Sequence, residues 1–334
     1  MWRSLVPPFP DGQWQRSLGI GTSGQNVGVQ IMSVTGPVQS SDLGVVLPHE
    51  HVFADLVREY RGTGLLNDEH LAGRELAAFA AAGGTTLVDL TLDEIGRDPP
   101  ALRRVAEAAG VTIIMGCGHY RDPYLDRAWF DRHPVEAIAD GIVRDVEEGV
   151  RDTGIRAGII GEIGADKWYV SAAEERSFRA AARAHLRTGL TISTHAARWP
   201  VGLEQLRLLT GEGADPRRVI IGHTDSVPLP DYHLALARQG CYVSFDGIGT
   251  GTPYDLRRTV DYVVALVRAG FGAQILLSHD IFLRGQLRAD GGPGYAYLLT
   301  DFLPLLTAAG LEEEEVRRFV TANPRAALTG EPPA

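Results

Sequence analysis

One short stretch decides the fold and the site that the sequence predicts: Gly44-Val45-Val46-Leu47-Pro48-His49-Glu50-His51. Its apolar start predicts a buried β-strand. Alternate side chains of a strand share a face, so His49 and His51 would point one way and Glu50 the other. Two imidazoles on one side of a strand end can close on one divalent metal. Taken alone, the pair is equally compatible with two unrelated polar residues, and the rest of the chain has to decide.

The bulk composition is that of a globular protein. The chain has 334 residues, of which 44% are hydrophobic and 22% are charged, enough for a large core. A single α/β barrel commonly reaches this length. The net charge of -10 comes without any basic block, so neither nucleic acid nor an anionic membrane is an expected partner. A small-molecule substrate is the remaining expectation.

The ends of the chain and its cysteines set the expected organisation. Residues 1–31 are rich in Gly, Pro, Ser and Gln and predict a loosely ordered extension, whereas residues 32–330 predict one domain. No apolar run approaches the ~18–20 residues that span a membrane. Cys117 directly follows one predicted strand and Cys241 begins another, as buried free thiols would, and a cytoplasmic location is expected.

Apolar runs alternate with amphipathic segments along the chain. The predicted strands are 44–47, 85–90, 111–116, 157–163, 190–195, 219–223, 241–246 and 274–278. The predicted helices are 68–82, 100–109, 135–151, 172–187, 201–210, 230–238, 254–269, 297–309 and 312–321. Eight short strands, each followed by a helix, predict a (β/α)8 barrel. A doubly wound open sheet is the alternative, weakened because no phosphate-binding glycine fingerprint follows the first strand.

Polar residues collect at the carboxyl ends of these strands, where barrels carry out chemistry. They are His49, His51, Glu162, His195, His223, His279 and Asp280. A lone buried histidine is more often a hydrogen-bonded core residue than a ligand. Burying so many polar groups at one end without a partner would be costly, and a metal centre satisfies them together.

The number of polar groups suggests two divalent metals. His49, His51 and Asp280 would hold one metal, and His195 and His223 the other. Glu162 would bridge the two metals with one oxygen to each. Imidazole and carboxylate ligands suit zinc above all, with manganese, iron or cobalt as alternatives.

Five motifs carry a resemblance to a known family. They are Leu47-Pro48-His49-Glu50-His51, Gly158-Ile159-Ile160-Gly161-Glu162-Ile163-Gly164, Ser193-Thr194-His195, Ile221-Gly222-His223-Thr224-Asp225 and Leu277-Ser278-His279-Asp280. With them, residues 34–328 resemble the phosphotriesterase-like family of the amidohydrolase superfamily. Many of its members bridge the metals with a carboxylated lysine at the end of the fourth strand. This chain has Glu162 there, and its only lysine, Lys167, lies five residues further on. The glutamate resembles the branch called phosphotriesterase homology protein.

The resemblance implies a metal-dependent hydrolase. A hydroxide that bridges the metals would attack a carbonyl carbon or a phosphorus, with Asp280 as the catalytic proton acceptor. The expected substrate is an ester, a lactone or a related acyl compound. Organophosphate triesterase activity is one alternative, and a metal-holding binding protein without useful turnover is another. Relatives of this kind are often dimers, so a homodimer is an open expectation.

Five further residues are candidates for the surroundings of the metals. Asp225 and Asp246 would relay the proton or orient ligands, or serve only as structural hydrogen-bond partners. Arg284 and Arg288, in the long loop after the last strand, would grip an anionic substrate group or simply hold the loop. Tyr120 would donate to an ester or lactone oxygen, or form an aromatic wall.

Overall fold

The structure is a computed structural model that describes residues 28–332. In chain order the strands are β1 (Gln30–Ser33), β2 (Gly36–Gln39), β3 (Val46–Glu50), β4 (Ala54–Asp55), β5 (Leu65–Leu66), β6 (Thr86–Asp89), β7 (Thr112–Cys117), β8 (Ile159–Gly164), β9 (Ile192–His195), β10 (Val219–Gly222), β11 (Tyr242–Phe245) and β12 (Ile275–Leu277). The helices are α1 (Val57–Tyr60), α2 (Glu69–Ala81), α3 (Pro99–Ala109), α4 (Arg127–Arg132), α5 (Val135–Glu147), α6 (Ala172–Thr188), α7 (Gly202–Gly211), α8 (Pro230–Arg238), α9 (Pro253–Arg268), α10 (Leu303–Ala308), α11 (Glu313–Arg318) and α12 (Ala322–Thr329).

Eight parallel strands form the barrel that the sequence predicts. They follow one another in the order β3, β6, β7, β8, β9, β10, β11 and β12. The first and last strands meet where the Asp280 N–H donates to the His49 carbonyl at 3.3 Å and the His49 N–H donates to Ser278 Oγ at 3.1 Å. The (β/α)8 prediction is therefore confirmed.

Most predicted elements occur within a few residues of their expected bounds, but several short ones were missed. The first strand runs to Glu50 and so includes His49. The helix expected over 135–151 ends at Glu147, and a π-helical turn, Leu298–Phe302, precedes α10. The antiparallel hairpin of β1 and β2, the short strands β4 and β5, and helices α4 and α12 were not predicted. Strands of two to four residues are too short to show a periodicity.

The predicted N-terminal extension lies outside the described residues up to residue 27, and Gln30 and Ile31, at its end, belong to β1. Within residues 28–332, no helix is long and apolar enough to cross a membrane.

Apolar side chains fill one end of the barrel and leave the other for polar groups. A cluster inside the barrel includes Val46, Val88, Ile114, Ile159 and Ile220, all nearly inaccessible to solvent. A larger apolar cluster lies between the strands and the surrounding helices. Because the interior is packed below, the residues at the carboxyl ends of the strands form the floor of an open cavity.

Glu50 ties the two ends of the barrel sheet together. Its carboxylate accepts hydrogen bonds from Ser278 Oγ, from the His279 backbone N–H and from His279 Nδ1, each at 2.8 Å, and from the Ile281 N–H at 3.0 Å. The Leu298 N–H donates to His279 Nε2 at 2.9 Å. Both nitrogens of His279 are therefore occupied, which explains why this strand-end histidine does not join the candidate metal ligands.

Replacing Glu50 with Ala should destabilise the protein strongly. Several buried donors would lose their acceptor, so we expect a loss of about 3 kcal/mol or more in the free energy of unfolding. Urea unfolding followed by circular dichroism measures the loss. Glu107→Ala, at an exposed position of α3, is the matched control and should change stability by less than about 0.5 kcal/mol. Equal midpoints for the two variants would contradict the structural role of Glu50.

Candidate metal centre

Four imidazole nitrogens converge on the carboxylate of Glu162. Nδ1 of His195 and Nε2 of His223 each lie 3.1 Å from Glu162 Oε2, and His49 Nε2 lies 3.4 Å from the same oxygen. His51 Nε2 lies 3.5 Å from Glu162 Oε1. The four histidines come from, or directly follow, three different strands, β3, β9 and β10. The barrel thus brings together residues that are up to 174 positions apart.

Asp280 approaches the same centre from the last strand. Its Oδ1 lies 3.2 Å from His51 Nε2 and 3.7 Å from His49 Nε2. Its side chain is 18% exposed, whereas that of Glu162 is 1% exposed. Both carboxylates line the cavity, and Asp280 is the more accessible of the two.

A second set of contacts turns the imidazoles toward the centre. His223 Nδ1 lies 2.8 Å from Asp246 Oδ1, and His49 Nδ1 lies 3.2 Å from Asp246 Oδ2. His51 Nδ1 lies 2.9 Å from Thr91 Oγ1. Partners of this kind fix the orientation of ligating histidines. Of the two roles expected for Asp246, this geometry supports that of orienting the imidazoles.

Backbone strain occurs at two of the candidate ligands. His223 and Asp280 have φ angles of 56° and 54°, in the left-handed region that residues other than glycine seldom adopt. The Asp246 carboxylate accepts the His223 N–H at 2.9 Å, which helps to hold this conformation.

The chemistry of the donor set fits a divalent cation. His49 Nε2 is buried without a hydrogen-bond partner, which is costly unless something else satisfies it. Burial lowers the pKa of His49, but the carboxylates of Asp246 and Glu162 outweigh burial and raise it to about 10. Burial also works against ionisation of Glu162, yet His195 and His49 hold its pKa well below the usual range. The carboxylates therefore favour a positive charge at His49, whereas burial and His223 lower the pKa of His195 to about 4.

Three groups of side chains each bring their possible ligand atoms within 4.8 Å of one another. One is His49, His51 and Glu162, and a second is Glu162, His195 and His223; they contain the histidines of the two predicted sets and share Glu162, whereas Asp280 is in neither group. The third group is His49, His223 and Asp246. In this group Asp246 contacts the Nδ1 atoms of both imidazoles, so we interpret it as the orienting contact described above.

A cavity of about 380 Å³ opens above this centre. Tyr120 and Asp225, both predicted for the surroundings of the metals, line it. The Tyr120 hydroxyl lies 3.3 Å from His195 Nδ1. Asp225 Oδ2 accepts the Gly247 N–H at 2.9 Å, and burial together with the Asp246 carboxylate raises the pKa of Asp225 to about 7.

The expected roles of Arg284 and Arg288 in gripping a substrate require correction. Neither residue lines the cavity. The Arg284 side chain is exposed and pairs with Asp290 at 3.0 Å, and the backbone N–H of Arg288 donates to Glu75 at 3.1 Å. The loop after β12 packs against α2, and within it the Arg284 side chain is held by Asp290.

Sequence reasoning missed the arginines that do line the cavity, Arg121, Arg198 and Arg258. Arg121 donates to both oxygens of Glu59, at 2.7 and 2.6 Å, and also pairs with Asp166. Position along the chain was the one available signal, because Arg121 and Arg198 each lie a few residues beyond the end of a strand. That signal is weak without the loop conformations.

The barrel and the cluster at its carboxyl end define a protein class, that of the metal-dependent barrel hydrolases. The chain belongs to the Phosphotriesterase family, whose model matches residues 29–328. Enzymes of this family depend on a binuclear metal centre. The resemblance seen in the sequence motifs is therefore confirmed, while the bridging role of Glu162 remains a proposal.

Three relatives illustrate the range of the family. The N-acetyltaurine hydrolase of Dictyostelium discoideum is 34% identical over 278 residues, covering 79% of this chain and 74% of that protein. The phosphotriesterase homology protein of Escherichia coli is 34% identical over 282 residues, covering 84% and 96% of the two chains. Its crystal structure, complexed with phosphate in the active site, matches with a TM-score of 0.82 over 85% of this chain and 98% of that one, at 33% identity. A lactonase from Listeria monocytogenes matches with a TM-score of 0.83 at 25% identity, over 90% and 99% of the two chains.

Metal analysis tests the candidate ligands directly. We expect about two divalent ions per chain in the purified protein, and fewer than about one in Glu162→Gln, because the shared carboxylate would lose its charge. Elemental analysis by plasma mass spectrometry measures both. His70→Ala, at an exposed position of α2, should keep the full metal content. Unchanged metal content in Glu162→Gln would exclude the glutamate bridge.

Proposed function

We propose that the protein is a two-metal hydrolase that cleaves an acyl bond, in an ester, a lactone or an amide, of a small substrate bound in the cavity. The observation that carries the proposal is the convergence of four imidazole nitrogens on Glu162, with Asp280 open to the cavity. The names of the relatives support it, because one is an N-acetyltaurine hydrolase and another a lactonase.

The residues of the centre divide the work between them. Divalent cations held by these ligands would polarise a substrate carbonyl and lower the pKa of an attacking water. Asp280 would accept the proton of that water; its Oδ1 lies 3.2 Å from His51 Nε2 and its side chain lines the cavity, which supports this role. Asp246, in contact with His49 and His223, keeps two of the imidazoles in place during this step.

Tyr120 would hold the substrate. Its hydroxyl lies 3.3 Å from His195 Nδ1, at the wall of the cavity directly beside the centre. A phenol in that position can donate to the oxygen of the scissile bond. It packs with Leu56, Leu92 and Ile95, a small apolar cluster that excludes water from this side.

Asp280→Asn tests the assignment of the proton acceptor. The amide keeps the size of the side chain but cannot take up a proton, so we expect kcat to fall by about 100-fold or more. The circular dichroism spectrum should stay unchanged, and metal content is measured alongside. Asp261→Asn, at an exposed position of α9, is the control and should retain full activity. Full activity in Asp280→Asn would refute the role.

A substrate panel on metal-loaded protein tests the activity itself. It contains esters, lactones, N-acyl amides and phosphotriesters. We expect hydrolysis within the acyl compounds and loss of that activity on chelation. Phosphotriester rates equal to the best acyl rate would favour an organophosphate triesterase instead. A fully metal-loaded protein that is inert to the whole panel would favour a binding protein.

A further inference from the structure

One arginine of the cavity lacks an acidic partner. Among the arginines of residues 28–332 that line it, Arg121 is held by Glu59 and Asp166, and Arg258 donates to Asp255 at 2.5 Å. No ion pair joins Arg198 to a carboxylate of the described residues. Its recorded side-chain contact is between Nη2 and the Tyr60 hydroxyl, at 3.5 Å. Arg198 is thus a guanidinium at the cavity whose charge remains available to a ligand.

The backbone of Arg198 is strained and anchored to the centre. Five residues other than glycine have positive φ angles among those described, and three of them line the cavity: Arg198 at 69°, His223 and Asp280. The Arg198 N–H donates to Ser226 Oγ at 2.7 Å, and that hydroxyl donates to the His223 carbonyl at 2.6 Å. Strain of this kind concentrates at functional positions. The anchor ties the position of Arg198 to a candidate metal ligand.

Arg198 also reaches across the mouth of the barrel. It follows β9, whereas Tyr60 belongs to α1, which follows β3. In the barrel order, β3 and β9 have three strands between them in either direction, so they stand on opposite sides. The contact between Arg198 and Tyr60 therefore joins loops from opposite sides of the barrel, and both residues line the cavity.

We propose that Arg198 binds an anionic group, a carboxylate or a sulfonate, at the end of the substrate remote from the scissile bond. The inference rests on the proposed acyl hydrolase function and specifies its substrate class. A guanidinium offers two parallel N–H donors to such an anion. Leu56, Ile95 and Phe282 also line the cavity and give it an apolar wall, against which Tyr60 packs. The cavity thus suits a substrate with one apolar and one anionic side.

Kinetics on matched substrates test the role of Arg198. The probes are N-acetyl-β-alanine and N-acetyltaurine, which are anionic, and N-acetyl-β-alaninamide, which is neutral. For Arg198→Gln we expect kcat/KM to fall by roughly 10-fold or more for the anions, mainly through KM, and by less than about 2-fold for the neutral amide. For the anions, kcat/KM of Arg198→Lys should lie between that of the wild type and that of Arg198→Gln. Lysine keeps the charge but loses the paired donors.

Arg284→Gln is the matched control, because Arg284 is exposed, already paired with Asp290 and outside the cavity. It should leave all three substrates unaffected. An equal loss for charged and neutral substrates in Arg198→Gln, or no loss at all, would overturn the proposal.

Calorimetric binding to the metal-loaded protein separates this inference from the proposed function. N-acetyltaurine should bind wild-type protein at least roughly 10-fold more tightly than Arg198→Gln, with the difference shrinking in high salt. Arg198-dependent binding without turnover would support the anion site while contradicting the hydrolase. Turnover together with binding that is indifferent to Arg198 would support the hydrolase and refute the anion site.

Discussion

Closure of the barrel between β3 and β12 is the constraint on which the rest of the structure depends. The candidate ligands His49 and His51 lie near the start of the described chain, and Asp280 follows the last barrel strand. They meet only because Glu50, with its four hydrogen bonds, joins these two strands. Glu50 lies between the two histidines in sequence and on the opposite side in space. The segment His49-Glu50-His51 therefore supplies two candidate ligands and also the hydrogen bonds that hold the backbone on either side of Asp280.

Electrostatics then dictates what the closed barrel can hold. Glu162, Asp246 and Asp280 surround four largely buried imidazoles at the floor of the cavity. Such a group is stable only if cations neutralise the carboxylates and satisfy the imidazole nitrogens that face Glu162. Protonated histidines can do so in part, which is why the carboxylates of Asp246 and Glu162 raise the pKa of His49 to about 10 although burial opposes this. Divalent ions would satisfy the same nitrogens without adding a proton to each ring.

The parts of this arrangement that the sequence predicts are those that local patterns encode. Each barrel strand is an apolar run, and His49, Glu162, His195, His223 and Asp280 sit in or just after such runs, so the fold and the convergence could be predicted together. The bridging role of Glu162 still awaits the metal measurement. The role of Asp246 stayed open because its contacts with two imidazoles come from other strands.

Loop residues escaped prediction because their positions depend on contacts far away in the chain. Arg284 and Arg198 are both arginines in loops beyond strand ends, and the sequence distinguishes them only poorly. In the structure, the loop of Arg284 packs against α2, whereas a hydrogen bond to Ser226 anchors Arg198, which has a strained φ, at the cavity. Within this family, the ligands at the strand ends set the chemistry that is possible. In our proposal, a loop arginine, Arg198, then selects the substrate, and its placement is a tertiary property.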